Sequence, residues 1–253
     1  YDFSIDTGFE VVCVGKGKNN PLDQKATPDS LKGEANKKKM NPKMLASFVD
    51  GSKTMIEMTA LSNGINLPLD KVGMNGPISE VKDLHKTLIP EKDGGVLSDT
   101  GRVDFAFGPA PGVFSIVKSD SPTVIEEMEY LSMGEGPYYT LYRPYHLASV
   151  EAPRSVGMAI INNEPGLQPK TWISEVVGHA KKDLEPGETI DGIGGFSSYG
   201  VAYPVSDSKG LAPLGLLEGG TVSKLIKAGD PISLESVELP ENLINELRKK
   251  QKS

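Results

Sequence analysis

The segment Met40–Gly64, MNPKMLASFVDGSKTMIEMTALSNG, limits the possible folds most, because it carries the longest helical hydrophobic period in the chain. Asn41 is a good N-cap, and Pro42 suits the first helical position, where no N–H is needed. Gly64 is a natural stop. Between them Met44, Leu45, Phe48, Val49, Met55 and Ile56 recur at three- and four-residue spacing. At about 100° per residue they fill an arc of roughly 140°, which predicts one amphipathic helix with a core-facing stripe. Asp50, Lys53 and Glu57 then share the opposite face. Such a set is either a solvated face with ordinary ion pairs or a charged wall facing a cleft.

Before this helix, Tyr1–Gly8 reads as the last turns of a helix, and Phe9–Val14 as a buried strand. A chain that opens this way is expected to enter in the middle of a domain. Gly15-Lys16-Gly17 follows the strand like a turn, with Lys16 placed to touch a ligand at a strand end. The full GxGxxG fingerprint is missing. Residues 21–39 are polar and read as a loop with one helical turn after Thr27-Pro28-Asp29. Beyond Gly64, a short helix over Ile78–Thr87 capped by Ser79 is expected. Arg102–Phe107 and Gly112–Val117, joined by Gly-Pro-Ala-Pro-Gly, read as a hairpin. Ser121–Met133 reads as a helix with Thr123, Ile125, Met128 and Leu131 inward.

The window Tyr138–Leu147 is the most aromatic, and Pro144 keeps it from being a central strand. An edge strand leading into a helix over Leu147–Asn162 is the plain reading; Arg143 and His146 pointing into a polar pocket is the functional one. Arginine suits bidentate capture of carboxylate or phosphate. Composition shifts at Asn162–Gln168, which sets a domain boundary between about Asn163 and Glu175. Beyond it, Lys182–Ile190 can be laid over Lys224–Ile232, a weak repeat that suits a small β module. Pro240–Lys252 reads as a charged terminal helix.

Composition narrows the function classes. A net charge of −7 argues against a nucleic-acid partner. The tracts Lys37–Lys39 and Arg248–Lys252 are short and read as solvated surface. The single cysteine, Cys13, excludes an internal disulfide and lies in an apolar run, where packing is its default role. His85, His146 and His179 are far apart, and no metal site is expected. No apolar run reaches membrane-spanning length, and a soluble cytoplasmic protein is the expectation.

Three stretches together carry a family resemblance. They are Thr7–Val12 with Gly15-Lys16-Gly17; Asn41–Met44 with Ser47–Lys53 and Ile56–Met58; and Tyr142–Leu147. The chain resembles the homoserine-dehydrogenase-like oxidoreductases that end in a SAF domain, one branch being the deoxyxylulose-phosphate reductoisomerase-like enzymes. Ala180–Glu188 resembles the start of the SAF domain, a β-clip module. The resemblance implies an α+β fold, with helices on a mixed sheet in an α/β catalytic domain, followed by a small all-β SAF domain. The expected divisions are 1–20 as the end of a truncated nucleotide-binding domain, 21–168 as the catalytic domain, 169–240 as the SAF-like domain and 241–253 as a terminal helix.

The resemblance also implies NADP or NAD as cofactor, with the family's N-terminal Rossmann domain absent from this sequence. Lys53, Asp50, Glu57 and Lys16 take the catalytic roles, since a lysine flanked by carboxylates suits proton transfer at a reacting oxygen. Arg143, His146 and Asn41 would hold the substrate, and Gly15 and Gly17 would touch the cofactor. The partners expected are a small hydroxylated, anionic substrate and further copies of the chain in a homo-oligomer, with neither nucleic acid nor membrane. A different class remains open: a non-catalytic module that binds a sugar acid or mediates assembly. Acyl or hydrolytic chemistry has little support, because neither a GxSxG nor a plausible Ser-His-Asp set occurs.

Overall fold

The computed structural model describes residues 1–251, so Lys252 of the terminal basic tract lies outside the described residues. In chain order the first elements are α1 (Asp2–Asp6), β1 (Glu10–Lys18), α2 (Lys32–Lys38), α3 (Pro42–Val49), α4 (Ser52–Ile65), α5 (Leu84–Thr87), β2 (Arg102–Phe107), β3 (Val113–Lys118) and α6 (Pro122–Tyr130). The rest are β4 (Tyr138–Arg143), α7 (Ala148–Gly157), β5 (Ser174–Ala180), β6 (Ser198–Pro204), β7 (Thr221–Val222), β8 (Val237–Glu238) and α8 (Leu243–Lys250). The fold class is α+β. None of the helices is long and apolar enough to cross a membrane among the described residues.

The chain divides into two compact units. Tyr1–Asn19 with Ala60–Thr171 form the first, and Asn20–Thr59 with Trp172–Ser253 the second. Residues 20–59 therefore belong with the C-terminal part, whereas the expected division kept residues 21–168 together.

The first unit is built on a mixed four-stranded sheet in the order β2-β1-β3-β4. β1 runs parallel to β2 and antiparallel to β3, and β3 is antiparallel to β4. The two strands expected to form a hairpin thus exist but do not pair. β1 lies between them because its apolar run, buried from Val11 to Gly15, needs a neighbour on each edge and cover on both faces. Leu84, Leu88 and Leu97 pack on Val12, Ala106 and Ile116. Met128 of α6 packs with Val117 and Tyr139 in a separate cluster. Leu131, expected inward, is 56% exposed. Ser79 does not cap the Ile78–Thr87 helix; a 3-10 turn at Val81–Asp83, following Glu80, leads into α5.

Gly15-Lys16-Gly17 is not a turn: it continues β1. The glycines serve close approach. A Cβ on Gly15 would lie 1.8 Å from the Asp104 carbonyl oxygen, and one on Gly17 would lie 2.3 Å from the Ala110 backbone nitrogen. The β2–β3 connection crosses the end of β1 here, and the Gly17 N–H donates to the Gly112 carbonyl at 2.8 Å.

In the second unit the predicted single helix is two. Gly51 adopts φ +91°, open to glycine but strained for other residues, and this ends α3. The Asp50 carboxylate accepts the Ser52 N–H at 2.8 Å and so caps the start of α4. Leu45, Val49 and Met55 are buried as expected, but Met44 is 54% exposed and Ile56 37%. The break rotates α4 relative to the single-helix register.

The C-terminal part is a set of short antiparallel pairings with a built-in pseudo-two-fold. Leu184 bridges its repeat equivalent Ile226, with both N–H groups donating across at 2.9 and 3.0 Å. Several neighbouring contacts have counterparts 42 positions away. Gly187 N–H donates to Val222 O, as Gly229 N–H does to Ala180 O. Ile190 N–H donates to Gly220 O, as Ile232 N–H does to Gly178 O. The weak repeat is therefore a structural one, its two copies paired with each other. Leu184, Ile190, Leu214, Leu217 and Ile232 are fully buried in this part.

Candidate functional site

The α3–α4 junction holds four of the sequence-predicted residues, all in the second unit. Asn41 spends its side-chain oxygen on the cap of α3, accepting from Lys43 N–H at 2.8 Å and Met44 N–H at 3.3 Å. Lys53 and Glu57 sit one turn apart on α4, with Nζ 3.5 Å from Oε1, and both side chains remain partly exposed. The ammonium also stands 4.3 Å from the centroid of the Phe48 ring. Lys53 is thus held between a carboxylate and an aromatic face while its side chain stays partly exposed, an arrangement that can pass a proton to a bound oxygen.

Asp50 does not join that face. It is fully buried and pairs with Lys181 at 2.8 Å, the two side chains being 0% and 2% exposed. The Lys181 ammonium also donates to the carbonyls of Ala26 at 2.6 Å and Gly195 at 2.8 Å. Ser52 extends the network by accepting the Gly200 N–H at 2.8 Å. The expectation of one polar stripe, Asp50-Lys53-Glu57, is corrected here. The turn at Gly51 sends Asp50 inward, where its charge needs a partner. Lys181 is a residue the sequence reading missed. Its only signal was a lysine directly after an apolar strand, where a solvated side chain is the default.

The other predicted residues lie in the first unit. Lys16 pairs with Val113 in the β1–β3 register, and Val113 with Arg143 in the β3–β4 register. Lys16 and Arg143 therefore share one cross-strand row and one face of the sheet, two strand spacings or about 10 Å apart. The Arg143 guanidinium pairs with Glu151 and stands 4.6 Å from the Tyr145 ring centroid. His146 Nδ1 lies 2.5 Å from the Pro111 carbonyl oxygen, which orients the ring as a donor at that nitrogen. Gly15 and Gly17, buried within β1 and closed over by backbone, offer no N–H cradle opening a helix; they do not fit the phosphates of a dinucleotide.

Two further polar features of this unit were not foreseen. Asp104, buried on β2, accepts from the N–H groups of Asn75, Gly76 and Phe105 and from the Asn75 side chain. Burial pushes its carboxyl above the usual range, and these donors only partly offset that. Asp70 beside it also feels burial, but hydrogen bonds from Ser98, Asn75 and Arg102 bring its carboxyl below the usual range. The second is a cleft of about 790 Å³ lined by His85, Lys86, Asp93, Glu135 and Tyr138. There Tyr138 donates to Asp93 at 2.7 Å. Burial, with Lys86 beside it, holds His85 below the ordinary imidazole value.

His179, in the second unit, is a satisfied core group. Its Nδ1 is 2.9 Å from Gly229 O and its Nε2 is 2.9 Å from the Tyr203 hydroxyl. Cys13 is buried and unpaired by any disulfide, its thiol pushed well up by burial and by Asp104.

Residues 1–152, more than half of the chain, match the protein family described as oxidoreductase DRL, catalytic domain. No curated protein matches the chain.

Proposed function

The chain belongs to the family of oxidoreductase DRL catalytic domains, and from that membership we propose that it acts as an NAD(P)-dependent oxidoreductase on a small, hydroxylated, anionic substrate. The single observation that carries the reading is this family match over residues 1–152. The finer assignment, to the homoserine-dehydrogenase-like and reductoisomerase-like branch with a SAF domain after the catalytic part, rests on the motif resemblance.

In this reading Lys53 exchanges a proton with the substrate oxygen, and Glu57 orients its ammonium. Within the first unit, taken by itself, Arg143, with Lys16 in the same cross-strand row, is suited to an anionic group, and His146 to a hydroxyl. Asp50, buried on Lys181, lies off this face; it fixes the start of α4. A bound nicotinamide would supply the hydride. Since Gly15 and Gly17 do not fit its phosphates, no role on the cofactor is given to them.

The test is turnover, followed by NADPH or NADH absorbance, of wild type, Lys53→Ala and Arg143→Ala. Lys53→Ala should lower kcat by about 10²–10⁴, while Arg143→Ala should act mainly on KM. Unchanged kcat in a folded Lys53→Ala protein would refute the role of Lys53. A second reading is favoured by the self-paired repeat of the C-terminal part, which forms a β module without need of a redox partner. It would be a sugar-acid binding or assembly module. Sugar-acid binding with no oxidation of any hydroxy acid would support that reading instead.

A further inference from the structure

The cleft beside α5 takes no part in the redox reading. At about 790 Å³ it has the size of a small-molecule site, and its walls come from residues between positions 85 and 94 and between 134 and 138. All of them belong to the first unit. Tyr138 opens β4 and Arg143 closes it. Five residues at about 3.3 Å each, or roughly 17 Å, therefore separate this cleft from the row of Lys16 and Arg143. The polar lining carries both signs. Lys86 on α5 brings an ammonium whose ion pair with Asp83 is loose, at 3.9 Å. Asp93 and Glu135 bring two carboxylates. The Tyr138 hydroxyl fixes Asp93 at 2.7 Å, whereas the Glu135 side chain makes no hydrogen bond or ion pair among the described residues. The N–H groups of Gly134, Glu135 and Gly136, in the loop ahead of β4, likewise meet no acceptor among the described residues. His85 adds no charge at neutral pH, because burial, with Lys86 beside it, holds its ring below the ordinary imidazole value.

We propose that this cleft binds a free amino acid, its carboxylate on Lys86 and the loop N–H groups and its ammonium on Asp93 and Glu135. The lining selects a ligand of both signs. A simple anion would be drawn to Lys86 and the three N–H groups but would meet two carboxylates in the same cleft. A simple cation would suit the carboxylates and be repelled by Lys86. A neutral ligand would use none of these charges. A zwitterion gives each charged group a partner of opposite sign, and charge-assisted hydrogen bonds are the strong ones. Ile89 and Pro137 add an apolar stretch of wall for a side chain. An amino acid carries the two charges and such a side chain in one small molecule. This ligand is distinct from the hydroxylated anion of the redox reading, and the inference does not depend on that reading.

The experiment is titration of the full chain with each of the twenty protein amino acids, followed by amide proton–nitrogen NMR. At least one should bind with Kd below about 1 mM and shift the signals of residues 84–94 and 134–138. The tightest binder is then compared with its carboxamide, which lacks the carboxylate, and its N-acetyl form, which lacks the ammonium. Each should bind at least about tenfold more weakly. Lys86→Met should weaken the amino acid by at least about tenfold and leave the carboxamide unaffected. Glu135→Gln should weaken the amino acid likewise and leave the N-acetyl form unaffected. Both positions are exposed, so the variants keep the fold. Lys82→Met, exposed and outside the cleft, should change nothing. Absence of any Kd below about 1 mM overturns the proposal. So do shifts centred on Lys16, Arg143 and His146 instead, full-strength binding of either blocked form, or indifference to both cleft variants.

Discussion

Replacing Lys181 by methionine isolates the pair that holds the α3–α4 junction. The ammonium makes three short contacts: to the Asp50 carboxylate at 2.8 Å and to the Ala26 and Gly195 carbonyls at 2.6 and 2.8 Å. Methionine fills much the same volume, so packing is nearly conserved. What changes is that Asp50, 0% exposed at the side chain, keeps a charge with no counter-ion. Breaking one partner of a buried pair costs about 3–5 kcal/mol, and two carbonyls also lose a donor. The expected loss is about 4 kcal/mol. Asp50→Asn alone should cost less, about 2–3 kcal/mol, because Lys181 keeps two acceptors and the asparagine oxygen can still accept the Ser52 N–H. The double variant holds no buried charge at all. It should be more stable than Lys181→Met alone, giving a coupling energy of at least about 2 kcal/mol. The assay is urea unfolding followed by Trp172, the only tryptophan, which lies in the second unit and so reports the right one. A Lys181→Met loss below about 1 kcal/mol, or a double variant whose loss equals the sum of the singles, would refute the view that charge compensation holds this junction.

Gly15→Ala puts a methyl 1.8 Å from the Asp104 carbonyl oxygen and should cost on the order of 3 kcal/mol or more. Gly33→Ala, inside α2 with nothing within 4 Å of the new Cβ, should instead gain about 0.5–1 kcal/mol; urea titration reads both. Asn41→Ala removes the α3 cap and should cost about 1 kcal/mol on the same titration. Burial holds His179 below the ordinary imidazole value of 6.5, the Gly229 hydrogen bond and Asp230 offsetting only part of it. The unfolded chain therefore binds the proton first as pH falls, so this contribution is present above pH 6.5 and is lost as pH falls toward the folded value. Stability of the second unit should decline from neutral to mildly acid pH, and His179→Gln should flatten that slope in Trp172-monitored unfolding.

Much of the local structure was legible because it depends on short-range chemistry. The Asn41-Pro42 helix start needs only one side chain and two N–H groups, and it forms as read. The strand character of Phe9–Val14, Arg102–Phe107 and Val113–Val117 follows from apolar, β-branched runs. The 42-residue repeat was visible because its copies retain glycine, acid and isoleucine at matching places, and these positions make the mirrored hydrogen bonds. One error was also local. Asp50-Gly51-Ser52 is a C-terminal stop followed by a new cap, and that signal was outweighed by the longer apolar period on either side.

What the sequence by itself determined is the content of the elements: where helices begin, which runs are strands and which part repeats. These follow from backbone conformation and nearest-neighbour hydrogen bonds, which each short segment carries within it. Only the tertiary structure decided which strand lies between which, because β1 gains two neighbours and two covered faces only in the centre of the sheet. It alone decided that Lys181, far from Asp50 in sequence, is its counter-ion. A buried charge takes whichever opposite charge the fold brings within reach, and no spacing along the chain records that choice.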